Sequence, residues 1–235
     1  MNANSFVVKR QDQNRQWSPM PRKNQKRLAP VRLVLKKVQK QSAESLRTSA
    51  HQLARQGDYT GAIALLTKLI ERQPNDAVSY NNRGLIYFQS SQLEKAIADY
   101  NKAVQLNPEL DSAYNNRANY YASLGQLAEA LADYEIALDL NPGNIRTWIN
   151  QGITFRELGL YDLALENLDM ALILGSLEEH IYAERGRTYH MRGDWNCAIA
   201  DYQRALSQMP QSGNSSRLRR KVETWMSQLL KPISA

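Results

Sequence analysis

Alanine recurs at a fixed interval through most of this sequence of 235 residues. Five alanines stand 34 residues apart, at Ala62, Ala96, Ala130, Ala164 and Ala198. Self-similarity of this period is typical of a chain built from stacked copies of one small structural unit. Residues 43–212 are therefore not expected to form one central core, and each unit must bury its apolar faces against its neighbours.

Large and small residues occupy other fixed positions of the unit. A large apolar residue stands 16 residues before each alanine, at Leu46, Tyr80, Tyr114, Trp148 and Tyr182. Apolar residues at steps of three and four predict two helices in each unit, because these steps place them on one helical face. A glycine separates the two predicted helices in four units, at Gly57, Gly125, Gly159 and Gly193. Each unit is therefore predicted to be a helical hairpin, with proline closing all units except the fourth, which has Ser176.

These residues resemble the tetratricopeptide repeat family, whose unit has the same large, small, alanine and proline positions. The frame gives five repeats covering 170 of the 235 residues: 43–76, 77–110, 111–144, 145–178 and 179–212. The resemblance implies an all-α fold, a right-handed α-solenoid of five hairpins whose first helices line a concave groove. The Asn-Arg-Gly and Asp-Tyr segments are also similar to those of bacterial and plastid assembly factors.

A basic segment precedes the repeats. Residues 1–42 hold eleven Lys and Arg against one acid, a formal charge of +10, whereas residues 43–212 hold fourteen against twenty-one, or −7. We expect residues 1–29 to be disordered and residues 30–42 to form a short amphipathic helix. The basic arm consists of Arg22, Lys23, Lys26, Arg27, Arg32, Lys36, Lys37 and Lys40. It could cap the first repeat, bind an anionic membrane or a partner protein, or contact RNA or ribosomal phosphate.

An amphipathic segment follows the repeats, in residues 213–235. Ser215 or Ser216 is suited to begin a helix that runs to about Leu230. Its apolar stripe consists of Leu218, Val222, Trp225 and Leu229. We expect this helix to cover the apolar edge of the fifth repeat, as terminal caps of solenoids do.

Arginine and aspartate vary together within the repeats. Where position 7 is arginine, position 23 is aspartate, and repeat four has Gln151 with Asn167 instead. This covariation predicts contacts between the two helices of a hairpin, and it favours a structural interpretation over anion binding. The predicted pairs are Arg83 with Asp99, Arg117 with Asp133, and Arg185 with Asp201. Gln151 and Asn167 are expected to form a neutral amide pair.

Asparagine recurs at positions that the resemblance assigns to the groove. Position 6 is Asn82, Asn116 and Asn150 in successive repeats. An amide has a donor and an acceptor, so such a ladder could bind the main chain of an extended peptide. Alternatively, asparagine was copied with a duplicated segment. The predicted groove residues are Asn81, Asn82, Leu85, Phe88, Asn115, Asn116, Asn119, Arg146, Asn150, Ile153 and Arg187.

No motif for catalysis or metal binding accompanies the repeats. The three histidines stand apart, no Gly-rich phosphate loop occurs, and Cys197 is expected to be a small core or boundary residue. We therefore predict a non-enzymatic scaffold, adaptor or assembly factor without metal or cofactor, whose partner is another protein. The alternative is a factor recruited to RNA, a ribosome or a membrane surface by the basic arm. One cysteine and no apolar stretch of about 20 residues favour a cytoplasmic location, possibly peripheral to a membrane.

Overall fold

The computed structural model describes residues 31–209 and 216–229, with side chains from 43–209 and 217–229. All the regular elements in this part of the chain are α-helices, which confirms the predicted all-α fold. Eleven helices are described: α1 Val31–Arg55, α2 Tyr59–Arg72, α3 Ala77–Gln89, α4 Leu93–Leu106, α5 Asp111–Ser123, α6 Leu127–Leu140, α7 Ile145–Glu157, α8 Tyr161–Ile173, α9 Glu178–Arg192, α10 Trp195–Gln208 and α11 Ser216–Leu229.

The chain divides into two units, Met1–Ser42 and Ala43–Ala235. The first four residues of the predicted basic arm, from Arg22 to Arg27, lie outside the described residues, as do the side chains of the last four, from Arg32 to Lys40. Helix α1 runs from Val31 to Arg55, whereas the sequence predicted a short helix ending near residue 42. No glycine or proline lies between residues 31 and 56 to end the helix sooner.

Helices α3 to α10 form four hairpins, and α1 and α2 share the apolar cluster of a fifth. The second helix of each hairpin packs against the first helix of the next one. The first helices α3, α5, α7 and α9 also pack on their neighbours, whereas the second helices α4, α6, α8 and α10 do not pack on one another. Because only the first helices approach each other, the stack curves with these helices on its inner face.

The repeated alanines form the centre of each hairpin. Ala62, Ala96, Ala130, Ala164 and Ala198 have no exposed surface. Tyr100, four residues after Ala96, is equally buried and lies against Gly84 of the preceding helix. A Cβ atom at Gly84 would lie 2.9 Å from the Tyr100 ring, so the small residue is what allows the two helices to approach.

The turns inside the hairpins have the conformation that the glycines predict. The inter-helix glycines adopt positive φ, with values of 85° at Gly57 and 97° at Gly193. In the second hairpin Ser91 takes the same place with φ of 60°. The link from α8 to α9, which lacks the closing proline, instead has positive φ at Gly175 and Leu177. The glycines and Ser91 end their helices because the left-handed conformation cannot continue a helix, whereas Leu177 immediately precedes α9.

Helix α11 covers the last hairpin. Val222 is completely buried against the cluster that α9 and α10 form, and Leu218, Trp225 and Leu229 pack on the same cluster. The Trp225 ring is stacked on Tyr202, with ring centroids 6.1 Å apart. The expected C-terminal capping helix is confirmed, and it gives the apolar edge of the fifth repeat a partner.

Candidate functional site

Two asparagines of the predicted ladder belong to the packing between hairpins. Asn81 and Asn115 are 4% and 9% exposed. Asn81 Oδ1 accepts a hydrogen bond of 2.9 Å from Asn116 Nδ2, and Asn115 Oδ1 accepts one of 3.3 Å from Asn150 Nδ2. Thr147 Oγ1 also donates to Asn115 Oδ1, over 3.2 Å. The expectation that Asn81 and Asn115 line the groove is therefore wrong, because burial and internal hydrogen bonds occupy both side chains.

The three asparagines at position 6 remain accessible, and we call Asn82, Asn116 and Asn150 the amide row. All three are partly exposed. Within the described residues, their Oδ1 atoms accept no hydrogen bond. These three oxygens are not among the fully buried polar atoms without a partner, so each of them keeps some exposed surface. The side chain of Asn82 makes no hydrogen bond in this part of the chain. The Nδ2 bonds of Asn116 and Asn150 hold their amide planes, so acceptors on the inner face are fixed but unused.

The other predicted groove residues differ in their surroundings. Leu85, Phe88 and Ile153 are partly exposed, and Phe88 makes an edge-to-face contact with Tyr120 at 6.4 Å. Asn119 Oδ1 accepts a hydrogen bond of 2.6 Å from the Tyr134 hydroxyl, so this acceptor is used internally. The amide row thus has apolar surface beside it, contributed by the same helices.

Arg146 lies between two cavities on the inner face. The larger one, which we call the arginine cavity, has a volume of about 650 Å³. It is lined by His51, Ala54, Arg55, Tyr59, Leu85, Ile86, Gln89 and Arg146. The smaller one, of about 250 Å³, is lined by Arg146, Ile149, Asn150, Leu177 and His180. Arg146 therefore connects the arginine cavity with the amide row.

Sequence reasoning missed Arg55 and His51 as site residues. They occupy positions 13 and 9 of repeat one, the positions that hold Gln89 and Leu85 in repeat two. The repeat frame places both on the inner face of repeat one, so the signal that identifies them is their position in the repeat.

Around α9 and α11, by contrast, the inner face is occupied by internal contacts; we call Arg156, Glu184, Arg187, Lys221 and Trp225 the capped end. Arg156 Nη1 donates to Glu184 Oε2 over 2.8 Å, and both side chains are buried. Lys221 Nζ lies 3.7 Å from Glu184 Oε1. The Arg187 guanidinium lies over the Trp225 ring, 5.4 Å from its centroid. Arg187, predicted to line the groove, is therefore held by the capping helix.

The position 7 arginines join three helices. Arg117 Nε and Nη2 donate to the two carboxylate oxygens of Asp133 over 2.7 and 2.8 Å, and Arg117 Nη1 donates to Asn101 of the preceding hairpin over 2.9 Å. Arg83 and Arg185 make the same paired contact with Asp99 and Asp201. The hydrogen bonds that Arg117 donates to Asp133 are the main reason that the pKa of Arg117 is raised. These arginines are internal links of the stack.

Repeat four lacks this link, and its expected amide pair is absent. Asn167 Nδ2 donates instead to the Leu163 carbonyl of its own helix over 2.8 Å. Asn167 Oδ1 is buried without a hydrogen-bond partner. Gln151 is shorter than the arginine that other repeats have at this position, and the bond of Asn167 to the preceding turn of α8 directs its donor away from Gln151.

Three further findings concern chemistry and membranes. Within residues 43–209 and 217–229, no group of three or more His, Cys, Asp or Glu side chains is placed to hold a metal ion. Cys197 is exposed on α10, so the expectation of a core or boundary position is wrong. None of the described helices has the length and apolar character that crossing a membrane requires.

Family models and solved structures provide comparisons for this geometry. Models described as TPR repeat or tetratricopeptide repeat match residues 84–125, 112–144, 65–98 and 51–76. The structure resembles TTC0263, a TPR protein of Thermus thermophilus, with a TM-score of 0.69 and 22% identity over 79% of this chain and 99% of that one. PilF of Pseudomonas aeruginosa is similar with a TM-score of 0.67 and 17% identity, over 83% and 95% of the two chains.

The matches to the family models overlap along the chain and together reach from residue 51 to residue 144. Helices α7 to α10 continue the same hairpin packing beyond that range. At these identities the two solved structures describe the fold alone. The repeated residues, the hairpin stack and the family models agree, and the chain is a tetratricopeptide repeat protein.

Proposed function

We propose that this chain is an adaptor or assembly factor that binds an extended segment of another protein along the amide row. Tetratricopeptide solenoids are protein–protein interaction scaffolds, and their repeats are generally non-enzymatic. The observation that carries the proposal is the free Oδ1 atom on each of Asn82, Asn116 and Asn150. An extended segment presents its main-chain N–H groups at regular intervals, and these groups require acceptors of this kind.

The support for the amide row is structural as well as chemical. Asparagine in a helix interior is less favourable than alanine by tenths of a kcal/mol. The buried carbonyl oxygens of Asn81 and Asn115 each accept an N–H from the next position 6 asparagine. A ligand would therefore meet two amides, Asn116 and Asn150, whose orientation is already fixed, which lowers the entropy cost of binding. Leu85, Phe88 and Ile153 offer apolar surface for side chains of the same segment.

The test is a selection of peptides from a random dodecapeptide display library by the full-length protein. The test variant changes Asn82, Asn116 and Asn150 to alanine. The control variant changes Gln105, Asn196 and Gln203 to alanine, three exposed amides on second helices. We expect wild type and the control to enrich the same peptides and the test variant to enrich none of them.

Two results would contradict the proposal. One is that wild type enriches no peptide above a column without protein. The other is that the test variant retains the wild-type peptides. Thermal unfolding of all three proteins provides the folding control, because loss of two inter-hairpin hydrogen bonds should lower stability by only about 1 kcal/mol each.

A second role concerns the basic arm. Its charge of +10, ahead of a repeat region of −7, favours an anionic partner such as RNA, a ribosome or a membrane surface. If this role exists, binding to single-stranded RNA or to anionic vesicles will fall steeply with salt and will be lost on deletion of residues 1–29. Peptide selection by the groove will survive the same deletion. We propose a cytoplasmic location for both roles, since a single cysteine suits a reducing compartment.

A further inference from the structure

The arginines of the repeat region differ sharply in how they are partnered. Eleven arginines lie between residues 43 and 209. Eight of them contact a carboxylate or an aromatic ring, as Arg47 does with Asp76 and Arg192 with Asp162. In the described part of the chain only Arg55, Arg72 and Arg146 make no such contact. Two of these three, Arg55 and Arg146, line the same cavity although their helices belong to repeats one and four.

The lining of the arginine cavity has one sign of charge. No acidic side chain is among its eight residues, although residues 43–212 hold more acids than bases. Its remaining members include Ala54, Tyr59, Leu85 and Ile86, which form an apolar part of the wall. Two arginines that line one cavity without a carboxylate repel each other, and an anion bound in the cavity offsets this repulsion.

We infer that the arginine cavity binds a carboxylate side chain, next to an apolar residue, of the segment that lies on the amide row. This inference rests on the proposed function and adds a sequence preference to it. Arg146 borders both cavities, so a segment bonded to Asn150 continues directly past Arg146 into the arginine cavity. Amides that bind main-chain groups give no preference among side chains, whereas guanidinium groups select an acidic side chain.

The same observations favour a protein ligand over a nucleic acid. A nucleic acid carries a phosphate at every residue, and the net charge of −7 in the repeat region would repel most of them. A protein segment with one short acidic stretch, by contrast, places its negative charge only at the cavity. The volume of about 650 Å³ lies within the range of sites that enclose small ligands, so it has room for an acidic side chain and an apolar neighbour.

The test compares peptides selected from the random dodecapeptide library by three full-length proteins. These are wild type, a variant with Arg55→Gln and Arg146→Gln, and a control with Arg72→Gln. Arg72 is a matched control because it is also exposed and unpaired but does not line the cavity. We expect Asp or Glu beside an apolar residue in the wild-type and control peptides, and no acidic preference in the double variant.

Affinity measurements then quantify the preference. The strongest wild-type peptide should bind the double variant about 10-fold more weakly or worse, because the charge-assisted hydrogen bonds to its carboxylate are lost. Replacing the acidic residue of that peptide by its amide should weaken binding to wild type by a similar factor and have little effect on the double variant. Equal affinity of the acidic peptide for wild type and the double variant would overturn the inference.

The outcomes separate the inference from the proposed function. If wild type enriches peptides without an acidic preference, the cavity assignment is wrong and the amide row is unaffected. If wild type enriches no peptide, both are wrong. If oligouridylate RNA displaces the peptide from wild type and binds in a manner that depends on Arg55 and Arg146, the cavity is a phosphate site and the inference is overturned. Thermal unfolding should be nearly unchanged in both variants, because exposed substitutions have small effects.

Discussion

Position 6 of the repeat has two different environments along the inner face. In repeats two to four it is the amide row, with half-buried asparagines whose Oδ1 atoms are unused. In repeat five it is Glu184, 3% exposed and bonded to Arg156. The side chain at position 6 is therefore part of the internal packing at the capped end, whereas in the middle of the stack its oxygen is available to a ligand. What distinguishes a candidate binding surface from internal structure is therefore whether a polar group already has a hydrogen-bond partner, and not its residue type.

The capping helix explains this difference. Lys221 of α11 lies beside Glu184, and Trp225 of α11 lies under Arg187. Both contacts give charged side chains on the inner face of α9 a partner from the capping helix. Within the described residues no such helix covers the middle of the stack, where the Oδ1 atoms of the amide row accept no hydrogen bond and Arg146 makes no ion pair. We therefore expect substitutions at the capped end to lower stability and substitutions in the amide row to lower binding.

The largest expected effect is on the stability of the capped end. Changing Arg156 to leucine leaves Glu184 buried with only Lys221, at 3.7 Å, to offset its charge. We expect a loss of about 3–5 kcal/mol in the free energy of unfolding, measured by urea denaturation. The control Arg192→Leu removes a pair with exposed Asp162 and should cost less than about 1 kcal/mol. Equal losses for the two variants would show that the Arg156 pair is not effectively buried.

A smaller loss is expected from the hairpin link in repeat three. Arg117 and Asp133 are 19% and 6% exposed, so Arg117→Leu leaves a nearly buried carboxylate unpaired. We expect a cost of about 3 kcal/mol in urea denaturation, with peptide affinity preserved, because neither residue faces the amide row. Adding Asp133→Leu should recover part of that loss. A double variant as unstable as the sum of the single variants would contradict the pairing.

The smallest effect is a pH dependence at the capped end. Burial, and then the charge of Arg187, lowers the pKa of His190, whose Nδ1 also lies 3.2 Å from the Tyr202 hydroxyl. Below about pH 6.5 the unfolded chain holds this proton more readily than the folded chain does. Stability should therefore fall as the pH decreases through that value toward the lower folded pKa. Urea midpoints at neutral and acidic pH should differ less for His190→Gln than for wild type, and an unchanged difference would contradict this assignment.

The 34-residue repeat was sufficient to predict most of the fold. Fixed alanines, glycines and prolines predicted the hairpins because helix packing and helix termination depend on local residue size and backbone conformation. The extent of α1 was not predicted, since the frame placed a repeat boundary at residue 43 where no helix-ending residue stands. The absence of the Gln151–Asn167 pair was not predicted either. Asn167 donates to a carbonyl of its own helix, and no feature of the sequence distinguishes this bond from one to Gln151.

The site was less accessible to sequence reasoning than the fold. Family resemblance assigns groove positions, but it does not show which side chains neighbouring hairpins use. Asn81 and Asn82 are adjacent and identical in type, yet one is buried and the other is free. Arg55 and Arg146 are 91 positions apart in the chain, yet both line the arginine cavity because the stack curves. Such proximity depends on the superhelical geometry of the stack, which cannot be predicted from the pattern of residues within one repeat.

The most direct test of the amide row is a titration of isotope-labelled protein with a peptide selected by wild type, observed through the side-chain amide signals in NMR spectra. We predict that the signals of Asn82, Asn116 and Asn150 shift with the occupancy of the site, while those of Asn196 and Gln203 on α10 do not move. Saturating peptide that leaves the three amide-row signals unchanged would contradict the central claim.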